Sequence, residues 1–308
     1  MSSPTPTKVT IIGAGGHLGR HILTSLIAGP NFQVSIVTRQ HSANCNSVNF
    51  PPHIPIHRIP SDTYDETESQ LISILTGQDI VISAIATRAV GQQKTIIDAA
   101  IKAGVKLFIP SEFGHDTRNQ RAAELLPEFL CQTKRDIVQY LQSKEDAGLK
   151  WTAFVTGPIF EMAIFHYLGF DVGTKNASIL NDGTHRWSAT TFSTVALAVK
   201  NALLIPETAN RYLFIESFNV SQKDILAVLE GLTKKLWNAI FQDAEEEKRL
   251  ALEKLSKRDY GAIPMLMRYV TCTEGYGGDY MRYEEGANKL LSLPEESLAD
   301  VLAIMVGE

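Results

Sequence analysis

The sequence has 308 residues, of which 44% are hydrophobic and 20% are charged, and its formal net charge is −5. A slightly acidic chain gives no general support for nucleic acid or an anionic membrane surface as a partner. The first residues, MSSPTPT, lack the apolar segment of a secretion signal, and no apolar run approaches the roughly 18 residues that span a bilayer. Cys45, Cys131 and Cys272 are far apart and odd in number, which is typical of thiols in a reducing compartment. We therefore expect a cytoplasmic protein.

The first half of the chain alternates short apolar runs with helical patterns. The apolar runs predict strands at residues 9–12, 34–38, 57–59, 80–84, 107–109 and 152–155. The intervening patterns predict helices at residues 17–28, 66–76, 92–103 and 128–147. Strands that alternate with helices of this length indicate βαβ units, so we expect an α/β fold with a Rossmann-type parallel sheet flanked by helices.

The pattern changes after Gly157. The stretch ASILNDGTHRWSATT, residues 177–191, predicts a hairpin of two short strands around an Asn-Asp-Gly turn. Further helices are predicted at residues 194–204, 222–232, 244–255 and 294–306. We therefore expect a Rossmann domain over residues 1–157 and a smaller mixed α/β lobe over residues 158–308, packed onto the sheet.

A glycine-rich turn separates the first predicted strand from the first predicted helix, in VTIIGAGGHLGRHIL at residues 9–23. Gly13, Gly16 and Gly19 form the pattern G-x-x-G-x-x-G. In such a turn the first glycine permits a tight bend, the second lets the backbone approach a pyrophosphate, and the third lets the helix pack on the strand. The helix N-terminus favours the phosphate charge. The pattern at this junction predicts a dinucleotide site in the Rossmann domain.

The second strand indicates which dinucleotide is bound. A cofactor without a 2′-phosphate usually meets an Asp or Glu about 20 residues after the turn. Here the strand VSIVTRQ ends in Thr38 and Arg39, with no acidic residue. Because a guanidinium binds a phosphate with two hydrogen bonds, Arg39 favours NADP(H).

The helix predicted at residues 128–147 carries two candidates for acid/base chemistry. Tyr140 and Lys144 match the Tyr-x-x-x-Lys pair with which ordinary short-chain dehydrogenases protonate a carbonyl oxygen. At about 100° per residue, however, one face of the helix collects the apolar residues Leu130, Ile137, Val138 and Leu141. Lys134 lies within about 20° of the centre of that stripe, Lys144 about 60° from it and Tyr140 about 100° away. A lysine within an apolar stripe is either partly desolvated or reaches out to water. We expect Lys134 to be the acid/base and the other two to lie at the exposed edge.

Three segments, in this order and spacing, resemble the isoflavone reductase-like branch of the NmrA-like family, a group of atypical short-chain dehydrogenases. They are GAGGHLGR at 13–20, FIPSEFGHD at 108–116 and WTAFVTGPIFE at 151–161. Lys134 lies between the last two segments. The resemblance implies a two-lobed NADPH-binding fold that lacks the tyrosine of the Tyr-x-x-x-Lys pair. A lone lysine, here Lys134, is then the general acid/base.

The turn, the second strand and the resemblance together give the expected site. Cofactor contacts are expected from Gly13, Ala14, Gly16, His17, Leu18, Gly19, Arg39, Ala84, Ile85, Phe113, Lys134, Gly157 and Pro158. Substrate contacts are expected from Glu112, Phe160 and His166. No cluster of His, Cys, Asp or Glu has metal-ligand spacing, so we expect no metal. One departure from the family is that QHSANCNSV, after Arg39, lacks the lysine that plant members use as a second 2′-phosphate ligand, which weakens the preference for NADPH over NADH.

These observations predict an NADPH-dependent reductase of a small aromatic or polyketide-like metabolite, acting as a monomer or homodimer. One alternative is a non-catalytic NADP(H)-binding sensor, although relatives of that type generally lack the lysine. The other alternative is a redox-neutral isomerase or cyclase that uses the same pocket.

Overall fold

Strands and helices alternate through the first half of the chain. The computed structural model describes residues 7–42, 48–282 and 284–307, so Cys45 lies outside the described residues. The strands are β1 (Thr7–Ile12), β2 (Phe32–Arg39), β3 (Ile56–Ile59), β4 (Ile80–Ser83), β5 (Leu107–Ile109), β6 (Lys150–Val155), β7 (Phe170–Asp171), β8 (Asn176–Leu180), β9 (Arg186–Ala189), β10 (Arg211–Phe214), β11 (Phe218–Ser221) and β12 (Asn238–Gln242). The α-helices are α1 (His17–Ile27), α2 (Glu68–Leu75), α3 (Gln93–Lys102), α4 (Gln120–Leu125), α5 (Gln132–Gln142), α6 (Phe160–His166), α7 (Phe192–Ala202), α8 (Gln222–Thr233), α9 (Ala244–Ser256), α10 (Ile263–Cys272) and α11 (Leu298–Val306).

The largest sheet has seven strands in the order β3-β2-β1-β4-β5-β6-β10. Its pairings from β3 through to β6 are parallel. Val9, Ile11 and Ile12 of the central strand β1 are fully buried, as expected for a parallel strand covered on both faces. The strand order reverses between β1 and β4. Ligands of open parallel sheets bind at the carboxyl ends of the strands beside such a reversal. The predicted α/β class with a Rossmann-type sheet is confirmed.

Apolar helix faces cover this sheet. Ile96 and Ile97 of α3 and Val138 and Leu141 of α5 are almost completely buried in one cluster that also contains Phe108 of β5. The three-residue spacing of Val138 and Leu141 is that of an amphipathic helix. The apolar stripe predicted for the Lys134 helix therefore packs into the core, and it fixes which side of α5 faces the sheet.

The chain divides into two compact units. The first unit comprises residues 1–112, 132–154 and 195–213, and the second comprises residues 113–131, 155–194 and 214–308. The chain therefore passes from one unit to the other several times. A single domain boundary near residue 157 stays a prediction.

The second unit is built from two small sheets and several helices. β9 pairs antiparallel with β11, while β8 pairs antiparallel with β7 and parallel with β12. Its apolar core includes the fully buried Trp187, Phe160 and Leu266. None of the described helices, in either unit, has the length and apolar character needed to cross a membrane.

The hairpin predicted at residues 177–191 is wrong in its pairing. Both strands form, as β8 and β9, but they belong to different sheets. The reason lies in Gln222, the first residue of α8. Its side-chain carbonyl accepts the Leu180 N–H at 2.8 Å, and its amide donates to Ser178 O at 3.0 Å. The end of β8 is thus hydrogen-bonded by a distant side chain. Besides its short pairing with β7, β8 pairs with β12, while β9 pairs with β11, and both of these partners lie far along the chain.

The helix predicted at residues 128–147 is broken at both ends. Residues 128–130 and 145–147 are separate 3₁₀ turns, and only Gln132–Gln142 is α-helical. Cys131, between the first turn and α5, has φ −124°, which is not helical. Gly148 closes the second turn in the left-handed region with φ +85°, so it ends the segment at a position that favours glycine. Leu130 consequently lies outside the helix that carries Lys134.

Candidate cofactor and catalytic site

The turn after β1 has no room for side chains at two of its glycines. Gly13 has φ +92°, and a Cβ built on it would lie 2.4 Å from the carbonyl oxygen of Ala84. A Cβ on Gly19 would lie 2.2 Å from the carbonyl oxygen of Gly13, so α1 packs directly on the turn. Gly16 donates its N–H to Gly13 O at 3.0 Å, and α1 begins at the next residue without a side-chain cap. Uncapped N–H groups at a helix N-terminus are suited to bind phosphate.

The end of β4 forms the neighbouring wall of this turn. The Ala84 N–H donates to Ile12 O at 2.8 Å, which extends the β1–β4 pairing by one residue. Ile85 is held from the other side, because the Ser111 hydroxyl donates to its carbonyl oxygen at 2.9 Å. The structure therefore brings Ala84 and Ile85 beside Gly13, where the sequence places the cofactor.

Arg39 ends β2 at the same edge of the sheet, and it is half-buried. Its guanidinium donates to Asp62 O at 2.7 Å and lies 5.9 Å from the centre of the Tyr64 ring. These contacts restrict the side chain, which lowers the entropy cost of ordering it around an anion. Arg20, the other cation near the turn, lies 3.4 Å from the His17 ring nitrogen Nδ1.

Lys134 lies in the first turn of α5 and is half-buried. Its ammonium donates to the carbonyl oxygen of Glu112 at 2.6 Å. Glu112 follows the carboxyl end of β5, and it is 1% exposed. The side chain of Lys134 is therefore directed at the strand edge where ligands of parallel sheets bind. Its role as acid/base stays a prediction.

Tyr140 and Lys144 form a separate contact with α3. The Tyr140 hydroxyl donates to the Asp98 carboxylate at 2.6 Å, and the Lys144 ammonium lies 3.8 Å from the same oxygen. The ammonium also lies 4.7 Å from the centre of the Tyr140 ring. Burial is the main cause that raises the pKa of Tyr140, and the hydrogen bond to Asp98 adds to it. The Tyr-x-x-x-Lys match therefore links two helices and lies apart from Lys134.

Gln93 was missed by the sequence analysis. Its side-chain oxygen accepts the N–H of Ser111 at 2.8 Å, and its amide donates to Val90 O at 3.2 Å. Gln93 is fully buried at the start of α3. A glutamine at the start of an amphipathic helix carries no distinctive signal in the sequence. Its role depends on β5, which ends 16 residues further along the chain.

Three further predicted residues, Phe113, Gly157 and Pro158, lie in the second unit. Gly157 has φ +61°, and a Cβ on it would lie 2.1 Å from the carbonyl oxygen of Ser188, so only glycine fits there. Pro158 accepts the Thr190 N–H at 3.1 Å. Phe113 is half-buried. Their expected contacts with the cofactor stay predictions.

Phe160 and His166 stand at opposite ends of α6 with different surroundings. Phe160 is fully buried and packs edge-to-face on Phe218, with ring centres 5.1 Å apart. His166 is exposed, and together with Phe165 it lines a cavity of about 390 Å³ that also reaches Met265. Phe160 thus supports the core of the second unit. The substrate contacts assigned to both residues stay predictions.

A strand, a glycine turn and a helix at the reversal point of a parallel sheet define the dinucleotide-binding type of α/β protein. The model of the NmrA-like family matches residues 5–195. The chain belongs to the NmrA-like family. It is also 52% identical over 297 residues to "Oxidoreductase aprR" of Aspergillus flavus, covering 96% of this chain and 97% of that protein. At this level of identity the chain is an oxidoreductase.

Two solved structures show the same fold across the whole chain. The crystal structure of isoflavone reductase superposes with a TM-score of 0.75 at 20% identity, covering 98% of this chain and 100% of the other. The binary complex of leucoanthocyanidin reductase with NADPH, from Vitis vinifera, superposes with a TM-score of 0.77 at 17% identity over the same shares. The resemblance to the isoflavone reductase-like branch is thereby confirmed for the fold.

Proposed function

We propose that the protein is an NADPH-dependent reductase of a small aromatic or polyketide-like metabolite, with Lys134 as general acid/base. The observation that carries the proposal is the 2.6 Å hydrogen bond from Lys134 to the carbonyl of Glu112. It holds an ammonium at the carboxyl edge of the sheet, in the same unit as the glycine turn. The solved neighbours support the substrate class, because isoflavone and leucoanthocyanidin are aromatic compounds.

Two groups of residues in the first unit fit the two phosphate-bearing parts of NADPH. The glycine turn and the N-terminus of α1 would hold the pyrophosphate, and Arg39 would hold the 2′-phosphate. When bound, NADPH supplies the hydride. The cradle of Gly13 and Gly19, which added Cβ atoms would fill, supports this assignment. So does the NADPH in the leucoanthocyanidin reductase structure.

Lys134 supplies the proton in this proposal. An ammonium has three N–H donors, and the Glu112 carbonyl accepts one of them, which fixes the direction of the side chain. A donor directed at the substrate oxygen stabilises the negative charge that develops as hydride arrives, and then transfers its proton there.

The test compares Lys134 of α5 with Lys144, which lies just beyond the end of that helix. Lys134→Ala should lower turnover by about 10²- to 10⁴-fold, the usual contribution of a general acid, with NADPH affinity nearly unchanged. Lys144→Ala removes an ammonium paired with Asp98 and should keep turnover. Stopped-flow NADPH oxidation and titration calorimetry measure the two effects. Normal turnover by Lys134→Ala would overturn the assignment of Lys134. If the wild type oxidises NADPH with no fraction of a metabolite extract, the reductase proposal is wrong, and the alternative of a sensor that binds NADP(H) is favoured.

A further inference from the structure

We propose that β12 pairs with β12 of a second copy of the chain, so that the protein forms a two-fold homodimer. This inference is independent of the proposed function. β12 is an edge strand, because the small sheet has the order β12-β8-β7. Ile240 and Phe241 point to opposite faces of the strand, yet they are 54% and 59% exposed. A strand with apolar residues exposed on both faces and one open edge is a template for pairing.

The outward edge of β12 presents the hydrogen-bonding groups of Ala239 and Phe241. Asn238 donates its N–H to Lys175 O at 3.0 Å, and Gln242 O accepts the Asn181 N–H at 2.8 Å. Both bonds lie on the β8 side of the strand. Because alternate residues of a strand direct their backbone groups to opposite edges, the N–H and C=O groups of Ala239 and Phe241 face away from β8.

This edge is complementary to itself when two copies run antiparallel around an axis at Ile240. Ala239 of one copy then lies opposite Phe241 of the other, and each such pair exchanges N–H···O bonds in both directions. The two-fold axis generates the pair twice. A small side chain faces a large one, Asn238 faces Gln242, and Ile240 faces its own copy. An interface that is complementary to itself about a two-fold axis closes as a dimer.

Charge supports the same orientation. Lys234 and Lys235 precede β12, whereas Asp243 follows it directly, and all three are exposed. An antiparallel arrangement brings the basic end of one strand toward the acidic end of the other. A parallel arrangement would place like charges side by side. Natural edge strands are commonly protected by lysine or proline, and residues 238–242 contain neither.

The position of Ile240 opposite itself gives a sharp test. Light scattering coupled to size-exclusion chromatography should give the wild type twice the chain mass of 34.0 kDa. Ile240→Lys should halve that mass, because it places two ammonium groups face to face at the axis. Ile240→Glu should do the same. An equal mixture of the two variants should restore the dimer, because lysine then faces glutamate.

Ile304→Lys is the matched control, since Ile304 is an isoleucine of α11 that is 80% exposed. It should leave the mass unchanged. Thermal unfolding of every variant checks that β12 still folds. A wild type that stays monomeric at high concentration contradicts the proposal. A dimer that survives Ile240→Lys, or variants that stay monomeric when mixed, contradicts it equally.

Discussion

Arg39 shows how neighbouring groups turn a flexible side chain into a specific one. Its guanidinium is fixed by the carbonyl of Asp62 and lies against the ring of Tyr64. The sequence indicated the residue and its cationic charge. It did not indicate these contacts, because they come from a loop more than 20 residues away.

We expect Arg39→Ala to weaken NADPH binding by about 10- to 100-fold, the usual contribution of hydrogen bonds between charged groups. NADH, which lacks the 2′-phosphate, is the matched control ligand, and its affinity should change little. Titration of both cofactors by calorimetry measures the difference. An equal loss for NADPH and NADH would show that Arg39 does not bind the 2′-phosphate.

At the scale of elements, the ends of β4 and β5 are joined through side chains. Ser111 donates its hydroxyl to the carbonyl oxygen of Ile85, and it donates its N–H to the side-chain oxygen of Gln93. The next residue, Glu112, holds Lys134. Ser111 is therefore a positioning residue for both walls of the proposed site.

Ser111→Ala should cost about 1–2 kcal/mol of unfolding free energy, because it leaves the buried Ile85 carbonyl without this donor. Turnover should fall roughly tenfold as Lys134 loses its fixed direction. Ser143→Ala is the control, since the exposed Ser143 makes a similar bond to Tyr140 O at 2.7 Å. Urea unfolding and turnover measure both effects. Full turnover by Ser111→Ala would contradict the positioning role.

Glu296 joins the segment before α11 to the start of α7. Its carboxylate accepts the hydroxyls of Thr191 at 2.7 Å and Thr194 at 2.6 Å, as well as that of Ser217. Burial acts to raise the pKa of Glu296, but the hydroxyl donors outweigh it and lower the pKa from its ordinary value of 4.5.

Because the pKa of Glu296 is lower in the folded state than in the unfolded state, its carboxylate stabilises the fold above pH 4.5. This stabilisation is lost as the pH falls through the pKa that Glu296 has in the folded state. Glu296→Gln should therefore cost about 1–2 kcal/mol at neutral pH, and its deficit should shrink below the ordinary pKa. The neighbouring Glu295→Gln is the control, because Glu295 is exposed. Thermal unfolding between neutral and acidic pH measures the gap. A stability difference between wild type and Glu296→Gln that stays constant across this range would contradict the role of the hydroxyl donors around Glu296.

Sequence reasoning succeeded for elements whose signal is local. The burial of Val138 and Leu141 follows from their spacing, and the strained turn follows from Gly13 and Gly19. It failed where the outcome depends on a distant partner. β8 is paired by β12 and capped by Gln222, which lie more than 40 residues along the chain, so a local turn signal was mistaken for a hairpin.

At the scale of the whole molecule, the first unit cannot be isolated as one continuous piece. Its sheet is completed by β10, and Trp151 of β6 packs edge-to-face on Tyr212 with ring centres 5.5 Å apart. A fragment of residues 1–157 should therefore fail to unfold cooperatively, whereas the full chain should do so. Circular dichroism during thermal unfolding distinguishes them. A fragment that melts in one sharp transition and binds NADPH would contradict this expectation.

The alternation of the two units along the chain also determines when the large sheet can be completed during translation. β6 leaves the ribosome well before β10, because residues 156–210 emerge between them. During translation the outer edge of β6 stays unpaired until β10 has been synthesised. The sheet of the first unit therefore stays incomplete until β10 has been synthesised. In that interval its unpaired strand edge is the site at which a chaperone would prevent aggregation.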